Sequence, residues 1–391
     1  MPSTTQSIAD LMPAIAGAAV ETERTRTPSR TVMASLVDAG AFRMLQPRAF
    51  GGGESTPLEL FSTVREISSA CTSTGWIVAA TNVSAWLIFG FGDDAARDVW
   101  EATPDALVAA AVMPTGQLRR DRTGLHLSGR WRSVTGSAHC EWLVLGTLVL
   151  NADGAPVEHA QVLVPRSDVR FVDAPRTVGL AAVGCQDVVV EDVRIPLWRV
   201  SSQRHRSATE QARHRRSIPM LYRHSVTALY CAAVAVPLIG AAQGAYRAVL
   251  DQWNVANRLT QSGRMMVEAE AIHAEIGRAA FEIETAVLHL ERDLTELQGL
   301  AAKSKRVPID TFTRVRRNQV LSVRLAEGAV DRLVKVAGRD GVTMDHPVQR
   351  AWRDIHTGAS NRANREIDAV AISARAALGF DIEHSEVRPV I

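Results

Sequence analysis

Apolar and polar positions divide the chain into three regimes. Residues 1 to about 105 are rich in alanine, leucine and glutamate and read as helical, with Gly51-Gly52-Gly53 as a break. From about 106 to 200 the pattern shortens and becomes β. Leu125-His126-Leu127-Ser128 alternates apolar and polar, as a half-buried strand does. Trp142-Leu143-Val144-Leu145 and Gln161-Val162-Leu163-Val164 are short apolar runs set among Gly, Asn, Asp and Pro. Beyond Ile218 the spacing changes to three and four: Ile272, Ile276, Ala280, Ile283, Val287, Leu290, Leu294 and Leu297 make one face of a long helix apolar. A second long helix is predicted from Pro308 to Gly338, and Pro347 opens another. Short loops between long amphipathic helices predict an antiparallel bundle. No internal repeat is found.

Two segments stand outside this scheme. Val226 to Ala242 is apolar throughout, but it carries Pro237 and falls short of the ~20 residues that a membrane span needs. It reads as a buried bundle helix. Ser201 to Ser217 is rich in arginine and serine with no apolar period, and reads as a mobile basic loop, either a solvated linker or a lid.

A chain of 391 residues, 46% hydrophobic and 22% charged, holds two or three ordinary globular domains. A net charge of +2 gives no reason to expect a nucleic-acid partner. Nearly all the positive charge is arginine, since Lys303, Lys305 and Lys335 are the only lysines. Cys71, Cys140, Cys185 and Cys231 lack metal-ligand spacing, and no signal peptide is evident, so a reduced cytoplasmic protein with no membrane span is expected.

The richest stretch is Thr177 to Pro196. Gly179 and Gly184 permit turns, Val188-Val189-Val190 is a buried-strand signal, and Pro196 ends the ladder. This turn and strand resemble the end of the central β-domain of the acyl-CoA dehydrogenase fold. Three more segments agree, in the right order. Phe42-Arg43-Met44-Leu45-Gln46-Pro47 with Gly51-Gly52-Gly53 resembles that superfamily's first-domain motif. Ser73-Thr74-Gly75-Trp76 resembles the Ser-x-x-Trp helix of its monooxygenase branch. Gly129 to Trp142 resembles that branch's Gly-x-Trp-x-x-x-Ser-Gly-x-x-x-x-x-Trp signature.

The resemblance implies an α+β, mainly α fold. It divides the chain into an N-terminal helical domain (1–105), a small central β-barrel domain (106–200), the basic loop (201–217) and a C-terminal four-helix bundle (218–391), usually as a homotetramer. It also implies a flavin ring between β-domain and bundle. Met113, Thr115 and Gly116 are then expected on the strand beside the ring, Thr135, Gly136 and Ser137 near its reactive edge, and Trp131 among the cofactor-binding residues. Arg258 matches an arginine on the flavin diphosphate, though a surface arginine fits the spacing nearly as well. Gly338 and Gly341 are candidates for a neighbouring subunit's flavin or for plain helix capping.

Acyl-CoA dehydrogenases need a carboxylate base, commonly in Tyr-Glu-Gly-Thr, and here Thr357 stands where that glutamate would be. Glu282 or Glu284 is left as a substitute. The segment Pro347 to His356 is closer to the two-component monooxygenases. These take reduced FAD or FMN from a separate flavin reductase, use molecular oxygen as co-substrate, and shield a C4a-hydroperoxide from water. Thr135 is expected to place a hydroxyl near the flavin. Aromatic hydroxylases of this branch carry two histidines whose places are held here by Ser84 and Asn361, with His356 as a possible stand-in.

Those two replacements favour oxidation of an amine, of the amino-sugar type, over ring hydroxylation of an aromatic or polyketide. A degenerate, non-catalytic binding protein is the remaining class. No Gly-x-Gly-x-x-Gly fingerprint separates FAD from FMN, and no nicotinamide site is visible, in keeping with an external reductase and a small-molecule substrate.

Overall fold

The computed structural model describes residues 4–202, 216–255 and 270–383. Six helices come first: α1 (Thr4–Gly17), α2 (Ala19–Thr25), α3 (Arg30–Asp38), α4 (Pro57–Ala70), α5 (Thr72–Ile88) and α6 (Asp93–Trp100). Local chemistry sets their ends. At α4, Thr56 and Glu59 form a reciprocal capping box and Pro57 occupies the first turn, where its missing N–H costs nothing. Helix α5 is buried on almost every side, because α4, a C-terminal helix and the sheet all pack against it.

Seven strands follow: β1 (Val108–Arg120), β2 (Leu125–Val134), β3 (Trp142–Leu150), β4 (Pro156–Pro165), β5 (Arg170–Asp173), β6 (Gln186–Ile195) and β7 (Val200–Ser202). The three β segments read from the sequence lie in β2, β3 and β4, and Val188-Val189-Val190 lies in β6. The strands pair in the order β5-β6-β2-β1-β3-β4-β7. Among the described strands only β1 and β3 run parallel. In place of the expected barrel, the described strands make an open ladder, with β5 at one end and β7 at the other.

The C-terminal part consists of α7 (Val226–Val255), α8 (Glu270–Ala302), α9 (Ile309–Gly341), α10 (Pro347–Ala359) and α11 (Glu366–Ala377). Helix α7 is the apolar run extended. It is long and apolar enough to cross a membrane, but 83% of its most apolar stretch is buried inside the protein. It is the central rod, with α4, α5, α9 and α10 packed around it. The apolar face of α8 turns inward through Ile283, Leu290, Leu294 and Leu297. Helix α9 loses helical geometry at Gly338 (φ 62°), the predicted end of that helix, although one more turn runs on to Gly341. Most of the basic segment 201–217 falls outside the described residues.

Candidate active site

A cleft of about 2590 Å³ runs between the sheet, α5 and the start of α7. That exceeds the ~300–1,000 Å³ usual for one drug-sized ligand, so it has room for two. A bulge in β1 shapes its first wall. Ala111 pairs with Leu145 and the next partners are Gly116 and Thr147, so five steps on β1 face two on β3. Val112 to Thr115 therefore bow out of the ladder and line the cleft. Pro114 fits there because it has no ladder hydrogen bond to give.

The end of β2 continues this wall through Arg132, Ser133, Val134 and Thr135. Ser133 has φ 50°, a left-handed conformation that a non-glycine residue holds at a cost. Asp187 of β6 secures it: its carboxylate accepts from the Ser133 amide at 2.9 Å and from Arg130 at 2.7 Å. Burial raises the pKa of this carboxyl, but those two donors outweigh it and hold the group below its ordinary value. The strap fixes the turn that carries Thr135, whose hydroxyl lies 3.6 Å from the Cys185 thiol.

The opposite walls are aromatic. Phe89 and Tyr222 stack with centroids 3.9 Å apart and planes 5° from parallel, and Trp86 lies 6.1 Å from Tyr222 at a tilt. All three line the cleft, with His224, Tyr230 and Asn361 further along. Tyr222 is anchored by donating to the Leu45 carbonyl at 3.3 Å, and Trp86 by donating to the Leu221 carbonyl at 3.1 Å. The Nε2 atom of His224 is buried with no hydrogen-bond partner, and burial pulls its pKa down to about 4, so the ring is neutral at neutral pH.

Comparison with known proteins gives this fold and cleft a family. The family description "Acyl-CoA dehydrogenase, N-terminal domain" matches residues 8–102, and "Acyl-CoA dehydrogenase, C-terminal domain" matches residues 232–366. The oxygenase subunit HsaA of a flavin-dependent monooxygenase from Rhodococcus jostii (strain RHA1) is 31% identical, over 98% of this chain and 100% of its own. The chain belongs to the flavin-dependent monooxygenases of the acyl-CoA dehydrogenase fold. The oxygenase component of an FADH2-dependent resorcinol hydroxylase from Rhizobium sp. (strain MTP-10005) is 31% identical, over 86% of this monooxygenase and 84% of the relative. The solved structure of XiaF from Streptomyces sp., in complex with FADH2 and glycerol, superposes with a TM-score of 0.91. It is 26% identical and covers 99% of this chain and 96% of its own.

Among the residues singled out in the sequence of this monooxygenase, Ser84, Met113, Thr115, Trp131, Thr135 and Asn361 line the cleft. Their roles differ from the expectation in places. Trp131 is 1% exposed and donates its indole N–H to the Gly146 carbonyl at 2.7 Å, so it is part of the sheet core. Gly116 makes room for that indole: a Cβ there would fall 2.2 Å from the ring. Ser84 spends its hydroxyl on the Ala80 carbonyl at 2.7 Å.

Gly136 and Ser137 do not line the cleft. Gly136 supplies a positive-φ turn (φ 74°) packed against α5, and Ser137 is fully buried, bonded to Gly184 and Gln186. His356 also lies elsewhere. It faces Asp331 at 3.0 Å and Glu327 at 3.4 Å on the α9–α10 flank, against Trp352, so it is no stand-in for a cleft base. Arg258 falls outside the described residues.

The geometry also removes the dehydrogenase base. Thr357 packs against Gly179, and Glu282 is paired with Arg332 at 3.1 Å. Among the described residues the carboxylates lining the cleft are Glu54, Asp93 and Glu158, none on the bundle. Sequence reasoning missed His224, Tyr222 and Tyr230. The available signal was a cluster of Tyr, Arg and His between Pro219 and the apolar run at Val226.

Proposed function

We propose that this chain is the oxygenase component of a two-component system that hydroxylates an aromatic ring, using reduced flavin delivered by a separate reductase, and molecular oxygen. The observation that carries the reading is the Phe89–Tyr222 stack beside Trp86 on the cleft wall, a flat apolar face suited to an aromatic substrate. The bulged residues Met113 to Thr115, with Thr135, would hold the flavin on the facing wall. When bound, reduced flavin supplies the two electrons that let one oxygen atom enter the substrate while the other leaves as water.

The protein's own share is positional. The aromatic wall orients the substrate ring, the Asp187 strap fixes Thr135, and the apolar lining keeps water from the reacting atoms. Amine oxidation was favoured by the lack of histidine at Ser84 and Asn361. His224 lines the same cleft from another segment, which takes away that argument. The FADH2-dependent resorcinol hydroxylase among the relatives supports the same preference. Assembly as a homotetramer in the cytoplasm belongs to this reading, with the exposed Phe281 and Leu288 of α8 as material for subunit contact.

The test supplies chemically reduced FMN or FAD, 18O2 and panels of phenols and amines, with products read by mass spectrometry. One 18O atom on a phenol ring is the expected result. Label on nitrogen would replace this reading with the amine one. Stoichiometric hydrogen peroxide with no labelled product from either panel would overturn both.

A further inference from the structure

The turn that carries Thr135 is held from two sides, and on each side a buried carboxylate grips a residue in left-handed backbone. On the strand side these are Asp187 and Ser133. On the bundle side they are Asp354 of α10, 5% exposed, and Leu180 (φ 48°), whose amide donates to the Asp354 Oδ1 atom at 2.5 Å. Leu180 lies in the turn before β6, and that turn is fastened along both edges. One edge lies on α10. Arg353 donates to the Val178 carbonyl at 2.8 Å, and Gly179 packs so closely that a Cβ would fall 2.1 Å from the Arg353 carbonyl oxygen. The other edge carries the cleft wall. The Gly136 amide donates to the Val183 carbonyl at 3.0 Å, and the Ala138 amide to the Gly184 carbonyl at 3.1 Å. The Ser137 hydroxyl adds bonds to the Gly184 carbonyl and the Gln186 amide. Between the two edges, the Val183 amide closes back on the Leu180 carbonyl at 3.4 Å, so a single tight turn joins them.

We propose that Asp354 is a positioning residue for the flavin wall: by holding the Leu180–Val183 turn it sets the place of Gly136, and through it that of Thr135 in the cleft. The inference rests on the reading that the flavin lies against Thr135. With Ser133 pinned through Asp187 and Gly136 pinned through Val183, Thr135 is fixed by both neighbours, and release of either side lets its hydroxyl swing. A clamp that only fastens α10 to the turn would stop at Leu180. The bonds from Val183 and Gly184 to Gly136 and Ala138 carry the hold across to the wall.

The experiment measures amide hydrogen exchange of the full-length protein and anaerobic binding of reduced FMN, both at pH 8. In Asp354→Ala, exchange at residues 135–138 is expected to quicken about tenfold, together with 180–184, while β4 exchanges as in the wild type. Reduced FMN should bind about tenfold more weakly. Asp354→Asn, which keeps an acceptor for the Leu180 amide, should restore both readings toward the wild type. Asp354→Glu keeps the charge but lengthens the side chain, so it should quicken exchange at 135–138 less than Asp354→Ala, and it serves as the test if the alanine variant does not fold. Exchange that quickens only at 178–182 in either variant overturns the proposal and leaves a local clamp. Quickened exchange at 135–138 with unchanged FMN binding overturns the placement of the flavin against Thr135 instead.

Discussion

Tyr222 lies face to face with Phe89, ring centroids 3.9 Å apart and planes 5° from parallel. The Tyr222 ring is not held by the stack alone, since its hydroxyl is tied to the Leu45 carbonyl. The pair joins the helical domain to the entry of the bundle and forms part of the wall at which an aromatic ring would rest. Tyr222→Ala is expected to raise KM for an aromatic substrate about tenfold, since an aromatic pair is worth ~0.5–1.5 kcal/mol beyond its buried area. Tyr222→Phe, which keeps the ring, should change KM by less than about twofold. Steady-state kinetics with a saturating reductase compares the two.

Asp354 of α10 gives stability a pH dependence of its own. Its carboxylate is buried and accepts from the Leu180 amide at 2.5 Å, binding α10 to the turn before β6. Burial raises its pKa to about 6, against opposing hydrogen bonds from Leu180 and Thr72. The folded state therefore holds this proton where the unfolded chain, at 3.8, has lost it. The group favours folding at low pH, and that contribution is lost as pH rises from about 4 to 6, roughly 3 kcal/mol in all. Asp354→Asn keeps the acceptor and removes the charge, so urea unfolding at pH 8 should show a more stable protein, and Asp354→Ala a less stable one.

His224 has the opposite sign. Its pKa falls from 6.5 to about 4 because burial disfavours the charged ring. Its contribution is complete above about 6.5 and is lost as pH falls toward 4, roughly 2 kcal/mol after allowing for the solvent that still reaches the ring. His224→Gln should flatten the acid limb of a stability–pH curve below pH 6 without altering the plateau. An unchanged acid limb would mean that the ring is solvated in the folded protein.

Gly116 and Trp131 form a close fit. With a Cβ of residue 116 placed only 2.2 Å from the indole, Gly116→Ala must displace Trp131 or the strand, at a cost of about 1–3 kcal/mol. The smaller ring of Trp131→Phe should relieve part of that cost. The double variant is then expected to be more stable than the sum of the two single changes, as thermal unfolding of all four proteins would show.

Much of this architecture was legible because it is periodic. The apolar face of α8 repeats at three and four residues, and the end of the predicted helix at Gly338 coincides with a break in helical geometry. The central strands announced themselves by alternation or by runs such as Val188-Val189-Val190. What stayed hidden was set by register and by contacts distant in sequence. The run Ala109 to Gly116 reads as one strand, and only Pro114 and Gly116 hint that it bulges. Gly-x-Trp at Gly129 to Trp131 looks like a ligand motif, yet the indole is bonded to Gly146 in the sheet core. Tyr230 and Asn361 are 131 positions apart, yet α7 and the connection after α10 bring both to the lining of one cleft.

The bulge in β1 has a consequence for how this enzyme can change. Val112 to Thr115 take no part in the β1–β3 ladder, whose register resumes at Gly116. Their side chains can therefore vary without breaking a ladder pair, while the backbone of Val112 and Met113 stays packed on Gly146, where a Cβ would fall 2.2 Å from the Val112 carbonyl oxygen. Cleft lining and ladder are written in separable residues, so a library confined to these four positions is expected to yield folded variants that differ in the shape of the cleft, the kind of adaptability a scaffold needs to serve many substrates.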